Sequence, residues 1–76
     1  MARETLNRQL RQIQDEVLLL GSMVEDAMWS AMNALRRRDI PEARQVFESD
    51  RNINDKRYAI ENAVLILIAT QQPMAH

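Results

Sequence analysis

Nine apolar residues constrain this chain more than any other feature. Leu6, Leu10, Ile13, Val17, Leu20, Val24, Ala27, Ala31 and Ala34 follow one another at unbroken alternating steps of four and three. A helix turns once in about 3.6 residues and a strand alternates every two, so only a helix gathers this series into one stripe. The strict four–three alternation makes the stripe a seam lying almost parallel to a neighbouring helix. No proline interrupts it before Pro41, and Gly21 is the one glycine. Glycine inside a helix costs about 1 kcal/mol relative to alanine, but between Leu20 and Ser22 it also leaves room for a second backbone. The spacing predicts a first helix from about Thr5 to Arg38, roughly 50 Å long at about 1.5 Å per residue.

Leu18, Leu19, Met23, Met28, Met32 and Leu35 widen the stripe, so from Val17 onward the helix is apolar around much of its circumference. Such a helix needs more than one neighbour. The change from Leu and Val to Ala27, Ala31 and Ala34 allows closer approach toward the arginine-rich end. The methionines there read as adaptable packing groups rather than as ligands. Val17, Leu20, Val24, Ala27, Met28, Ala31, Met32 and Leu35 are therefore the expected self-association residues.

Arg38-Asp39-Ile40-Pro41-Glu42 reads as a tight reversal over 39–41. Asp39 or Ile40 caps, Pro41 takes the first helical position, and Glu42 lies in the first turn, where negative charge is favoured. The second helix is expected from about Pro41 to Gln72, stopped by Gln71-Gln72-Pro73 because a residue before proline leaves the helical region. A short loop makes the two helices antiparallel neighbours. The fold class is all-α: a hairpin of two long helices with more apolar surface than the pair can cover. Its bundle is expected to be completed by oligomerisation, and the chain to be part of a longer protein.

Composition narrows the function. The 76 residues make one small domain, and the absence of cysteine removes disulfides, thiolate metal sites and thiol nucleophiles, which fits a cytoplasmic location. The net charge of −1, with both signs interspersed, provides no basic face for nucleic acid. Arg36-Arg37-Arg38 instead complements the negative end of a helix. The apolar runs Val17–Leu20 and Ala63–Ala69 are too short to span a bilayer, and MARETLNRQLRQ lacks the apolar core of a signal peptide, so no membrane insertion is expected. No glycine-rich phosphate loop or Ser-His-Asp set occurs, and His76 is the single histidine. Asp15-Glu16 and Glu25-Asp26 are adjacent on a helix and point apart. An enzyme is not expected.

FESDRNINDKRYAIE, Phe47 to Glu61, poses the main puzzle. The row Ala43, Phe47, Asp50, Asn54, Arg57, Glu61, Val64 and Ile68 keeps the four–three alternation, yet its four central members are polar. Three readings are open. The row can face solvent beside a second apolar row of Val46, Ile53, Ile60, Val64 and Leu67, which is the preferred reading. It can be a semi-buried hydrogen-bond network whose partners lie on another helix. It can also be a contact or ion-binding surface, since Asp50 and Asn54 set oxygen ligands one turn apart.

LGSMVEDAMWSAMNALRRRD (Leu20–Asp39), ARQVFESDRNINDKRYAIE (Ala43–Glu61) and LIATQQPMA (Leu67–Ala75) together resemble the amino-terminal part of the PhoU family of phosphate-uptake regulators. Glu48-x-Asp50-x-x-Ile53-Asn54 and Gln71-Gln72-Pro73-Met74-Ala75 are the most specific elements. The resemblance implies a three-helix repeat, present twice in full-length members. It also implies a non-enzymatic negative regulator that links a phosphate ABC transporter, through its ATPase subunit, to a membrane sensor kinase. Some members bind iron or zinc clusters through Glu/Asp-x-x-x-Asp motifs, which the resemblance places mainly on the third helix of each repeat. The chain stops where that helix should begin, so no cofactor is expected here. Glu48, Asp50 and Asn54 are the nearest metal candidates, but Glu48-x-Asp50 does not match the motif and ligation is not carried onto it. Two rival readings are a free-standing helical dimerisation module and a metal-binding bundle using Glu48, Asp50, Asn54 and Asp55.

Overall fold

The structure is a computed structural model that describes residues 2–71. Helix α1 spans Ala2–Arg37 and helix α2 spans Ile40–Gln71. They pack against each other as an antiparallel hairpin measuring 59 × 20 × 13 Å. The radius of gyration of 17.5 Å far exceeds the ~11 Å of a compact domain this long. The hairpin is therefore a rod, not a globule. α1 begins three residues before the expected Thr5. The proposed stop at Gln72-Pro73, together with Met74, Ala75 and His76, lies outside the described residues.

The reversal uses two residues. Arg38 adopts a left-handed backbone with φ of 52°. The Arg38 amide donates to the Leu35 carbonyl at 3.3 Å and the Asp39 amide to the Ala34 carbonyl at 3.0 Å. These two bonds form a Schellman end for α1. Glycine usually fills such a position, and an arginine there carries roughly 1 kcal/mol of strain. Asp39 then caps α2: its carboxylate oxygen Oδ1 accepts from the Glu42 amide at 3.1 Å, and its carbonyl accepts from the Ala43 amide at 3.0 Å. Of the two expected caps Asp39 is the one used, and Pro41 stands second in the helix rather than first. Asp39 thus belongs to both helix ends at once, which is why so short a loop suffices.

The contact between the helices is only half of the expected seam. Leu6, Ile13, Leu20, Ala27 and Ala34 are at least partly buried, but Leu10, Val17, Val24 and Ala31 are exposed. Gln9, Glu16, Met23 and Ser30 take their place on the covered face. On α2 the covered residues include Val46, Ser49, Ile53, Lys56, Ile60, Val64 and Leu67, with Ala43 and Asn54 half-buried beside them, so the preferred apolar row does form the contact. Only Ala34 and Leu67 are buried among the described residues. The large side chains Leu18, Met28, Trp29, Leu35, Ile40, Phe47, Tyr58 and Leu65 all remain 60% or more exposed. Two helices cannot hide this much apolar surface, as their sequences anticipated.

Candidate interaction surface

The hairpin has two flanks, one on either side of the α1–α2 contact. The first flank is polar and tied. Lys56 Nζ of α2 donates to Glu16 Oε1 of α1 across the contact, an ion pair between residues forty apart in sequence. Both partners are partly solvated, so the pair contributes well under about 1 kcal/mol while fixing how the helices are aligned. A groove on this flank is lined by Gln9, Gln12 and Asp15 of α1 and by Ala59, Ala63 and Ile66 of α2. Gln9 Oε1 is buried there without a hydrogen-bond partner. Farther along, Ser30 and Asp26 of α1 face Ser49 and Asn52 of α2. Sequence reasoning missed Glu16, Lys56 and Gln9. The signal was available, since Gln9, Glu16, Met23 and Ser30 keep a heptad step, but their mixed polarity hid it.

The second flank is apolar on α1 and polar on α2. Near the turn it opens as a groove of Ala31, Leu35, Ile40, Ala43, Val46 and Phe47. Following the helical period from there, α1 presents Leu10, Val17, Val24, Met28, Ala31 and Leu35, and α2 presents Phe47, Asp50, Asn54, Arg57, Glu61 and Ile68. The puzzling polar row and the uncovered half of the seam thus lie on the same flank. The polar side chains pair along α2. Asn54 Nδ2 donates to Asp50 Oδ2 at 3.5 Å, Arg57 Nη1 donates to Glu61 Oε2 at 3.2 Å, and the Arg57 guanidinium stacks 4.7 Å from the Tyr58 ring centre. Each is an exposed contact worth a few tenths of a kcal/mol in a helix, roughly.

The structure divides the expected self-association set. Leu20 and Ala27 lie in the contact with α2, whereas Val17, Val24, Met28, Ala31, Met32 and Leu35 are exposed. Glu48, Asp50 and Asn54 lie on the outer surface of α2 and toward the second flank. Among the described residues no three His, Asp or Glu side chains converge as a metal site. No described helix is long and apolar enough to cross a membrane.

A rod of two helices with uncovered apolar faces defines an all-α helical module whose prominent surface features are those exposed faces. Residues 17–76 match the PhoU domain, so the chain belongs to the PhoU family. It is 36% identical over 69 residues to the phosphate-specific transport system accessory protein PhoU of Escherichia coli (strain K12), covering 91% of this chain and 29% of that protein. It is also 36% identical over 74 residues to the PhoU homolog of Clostridium acetobutylicum, covering 97% of this chain and 34% of the homolog. The Edwardsiella tarda protein of the same name is 35% identical over 69 residues, covering 91% of this chain and 28% of that protein. The chain therefore spans about a third or less of the relatives it matches. No solved structure matches it.

Proposed function

We propose that this chain is part of a non-enzymatic regulator of phosphate uptake, acting in the cytoplasm by protein–protein contact. The observation that carries this reading is the family match over residues 17–76, joined to relatives named as accessory proteins of the phosphate-specific transport system. The partners in this reading are the ATPase subunit of a phosphate ABC transporter and a membrane sensor kinase, with signalling held off when phosphate is plentiful. The exposed helix faces support contact as the mode of action, because they offer apolar area to another helix. Self-association belongs to the same reading, since the hairpin leaves its widest stripe uncovered. No resident cofactor is part of it.

Co-purification with the transporter's ATPase subunit, at high and low phosphate, tests the proposal. The expected result is capture that changes with phosphate and is lost when Leu35 and Phe47 are both replaced by Glu. Deletion of the encoding gene with no change in phosphate-starvation gene expression would overturn the regulatory role.

A further inference from the structure

The turn gathers cations that the hairpin does not use. Arg36, Arg37, Arg38 and Arg44 are all exposed. None of their guanidinium groups has an ion-pair or hydrogen-bond partner among the described residues. Between them stand Asp39 and Glu42, both half-buried, with the Asp39 carboxylate accepting from the Glu42 amide. The segment from Arg36 to Arg44 therefore carries four positive charges against two negative, a net of +2. The whole chain is −1, so everything outside this end carries −3. The hairpin is a charged rod 59 Å long, positive at the turn and negative over the rest.

These arginines encircle the end of the rod. Arg36 and Arg44 each lie two residues from a covered one, Ala34 and Val46, hence about 200° round their helices and on their outer faces. Arg37 stands two helical turns beyond Ser30, on the first flank. Arg38 borders the apolar groove of the second flank. Exposed apolar groups share the same end: Leu35 in the last turn of α1, 75% exposed, and Ile40 at the start of α2, 64% exposed. Arg38 adds a further sign. Its backbone is left-handed, with φ of 52°, where glycine fits more easily, and no polar contact of its side chain within the hairpin explains the arginine.

We propose that this end of the hairpin docks upright on an anionic membrane surface, its arginines meeting lipid phosphates while Leu35 and Ile40 sit at the headgroup level. Four cations on four sides of a rod cannot all reach one peptide laid in a groove. They can all meet a flat anionic surface end-on. Charge also sets the orientation, because attraction to an anionic leaflet fades within a Debye length, about 8 Å at physiological salt. Upright, the rod keeps its negative length beyond that distance; lying flat, it would press that charge against the lipid. The contact is peripheral. No described helix can cross the bilayer, and a few charges with two apolar side chains give reversible binding. The inference stands apart from the regulatory reading, because lipid binding requires neither transporter nor kinase.

Co-sedimentation of the 76-residue chain with vesicles tests this. Vesicles of phosphatidylcholine and phosphatidylglycerol in equal parts are expected to bind it, less tightly as salt rises, and phosphatidylcholine alone is not. Two double variants change the net charge equally. Arg36→Gln with Arg44→Gln is expected to weaken binding by about tenfold or more, and Arg8→Gln with Arg11→Gln, far from the turn, by less than about twofold. Arg38→Gly is expected to raise the melting temperature by releasing the left-handed strain, yet to weaken vesicle binding by about fivefold. Those opposite signs separate lipid contact from a folding defect. No binding to the anionic vesicles would overturn the proposal, and equal loss in the two double variants would overturn docking through the turn. Capture by immobilised poly-glutamate without vesicle binding would assign this end to an acidic protein instead.

Discussion

The two flanks of the hairpin use similar backbone geometry for opposite ends. On one, Glu16 and Lys56 tie α1 to α2, and Ser30 faces Ser49 farther along. On the other, Leu10, Val17 and Val24 stand exposed beside Asp50, Asn54 and Arg57, whose side chains pair along their own helix. Polarity on the first flank orients the hairpin internally. Apolarity on the second is not used in the α1–α2 contact, and that face is left open for further packing. The comparison teaches that burial in this protein follows function across the contact rather than residue type: Glu16 and Lys56 sit nearer the interface than Val17 and Leu35.

Charge inserted on the covered side of the contact should have the largest effect. Leu67, 8% exposed, replaced by Asp places a carboxylate where α1 and α2 meet, and the cost of about 3 kcal/mol or more should remove cooperative thermal unfolding by circular dichroism. Val24→Asp on the open flank should cost the isolated hairpin less than about 1 kcal/mol, because its carboxylate stays in water. If both substitutions destabilised the monomer equally, the distinction between contact and open flank would fail. Next in size is the shared helix end. Asp39→Ala removes the cap of α2 and should lower stability by about 1 kcal/mol, read as a shift of the denaturant midpoint. The smallest effects separate the two sets of charges. Lys56→Met should lower stability by a few tenths of a kcal/mol and lose its salt dependence, roughly as for a partly exposed pair. Glu61→Ala should change monomer stability by no more than about 0.5 kcal/mol, because Arg57 and Glu61 are neighbours on one helix.

Much of this was legible beforehand, for reasons that can be stated residue by residue. The four–three series from Leu6 to Ala34 identifies α1 because the helical period is a local property of the chain. Asp39 and Pro41 mark the start of α2 because capping involves only residues within one turn. The row through Val46, Ile53 and Ile60 identifies the covered side of α2, since no other side of its middle keeps apolar residues in step. The family resemblance rested on LGSMVEDAMWSAMNALRRRD and its companions, and residues 17–76 do match the PhoU domain.

Other features were not legible because they depend on how one helix is rotated about its axis against the other. From sequence, all nine residues of the α1 seam look equivalent. A neighbour covers only a narrow strip of a helix, however, and a wide apolar stripe leaves its choice of strip open. The rotation brings together residues far apart in the chain: Lys56 reaches Glu16 and Ser49 lies near Ser30, while Gln9 and Met23 face inward and Leu10 and Val24 face out. Local signals, the helical period together with the Asp39-Ile40-Pro41 turn, determined that there are two antiparallel helices and where the second begins. Only the tertiary structure decided which half of the seam the hairpin uses, because that depends on contacts between residues some forty positions apart.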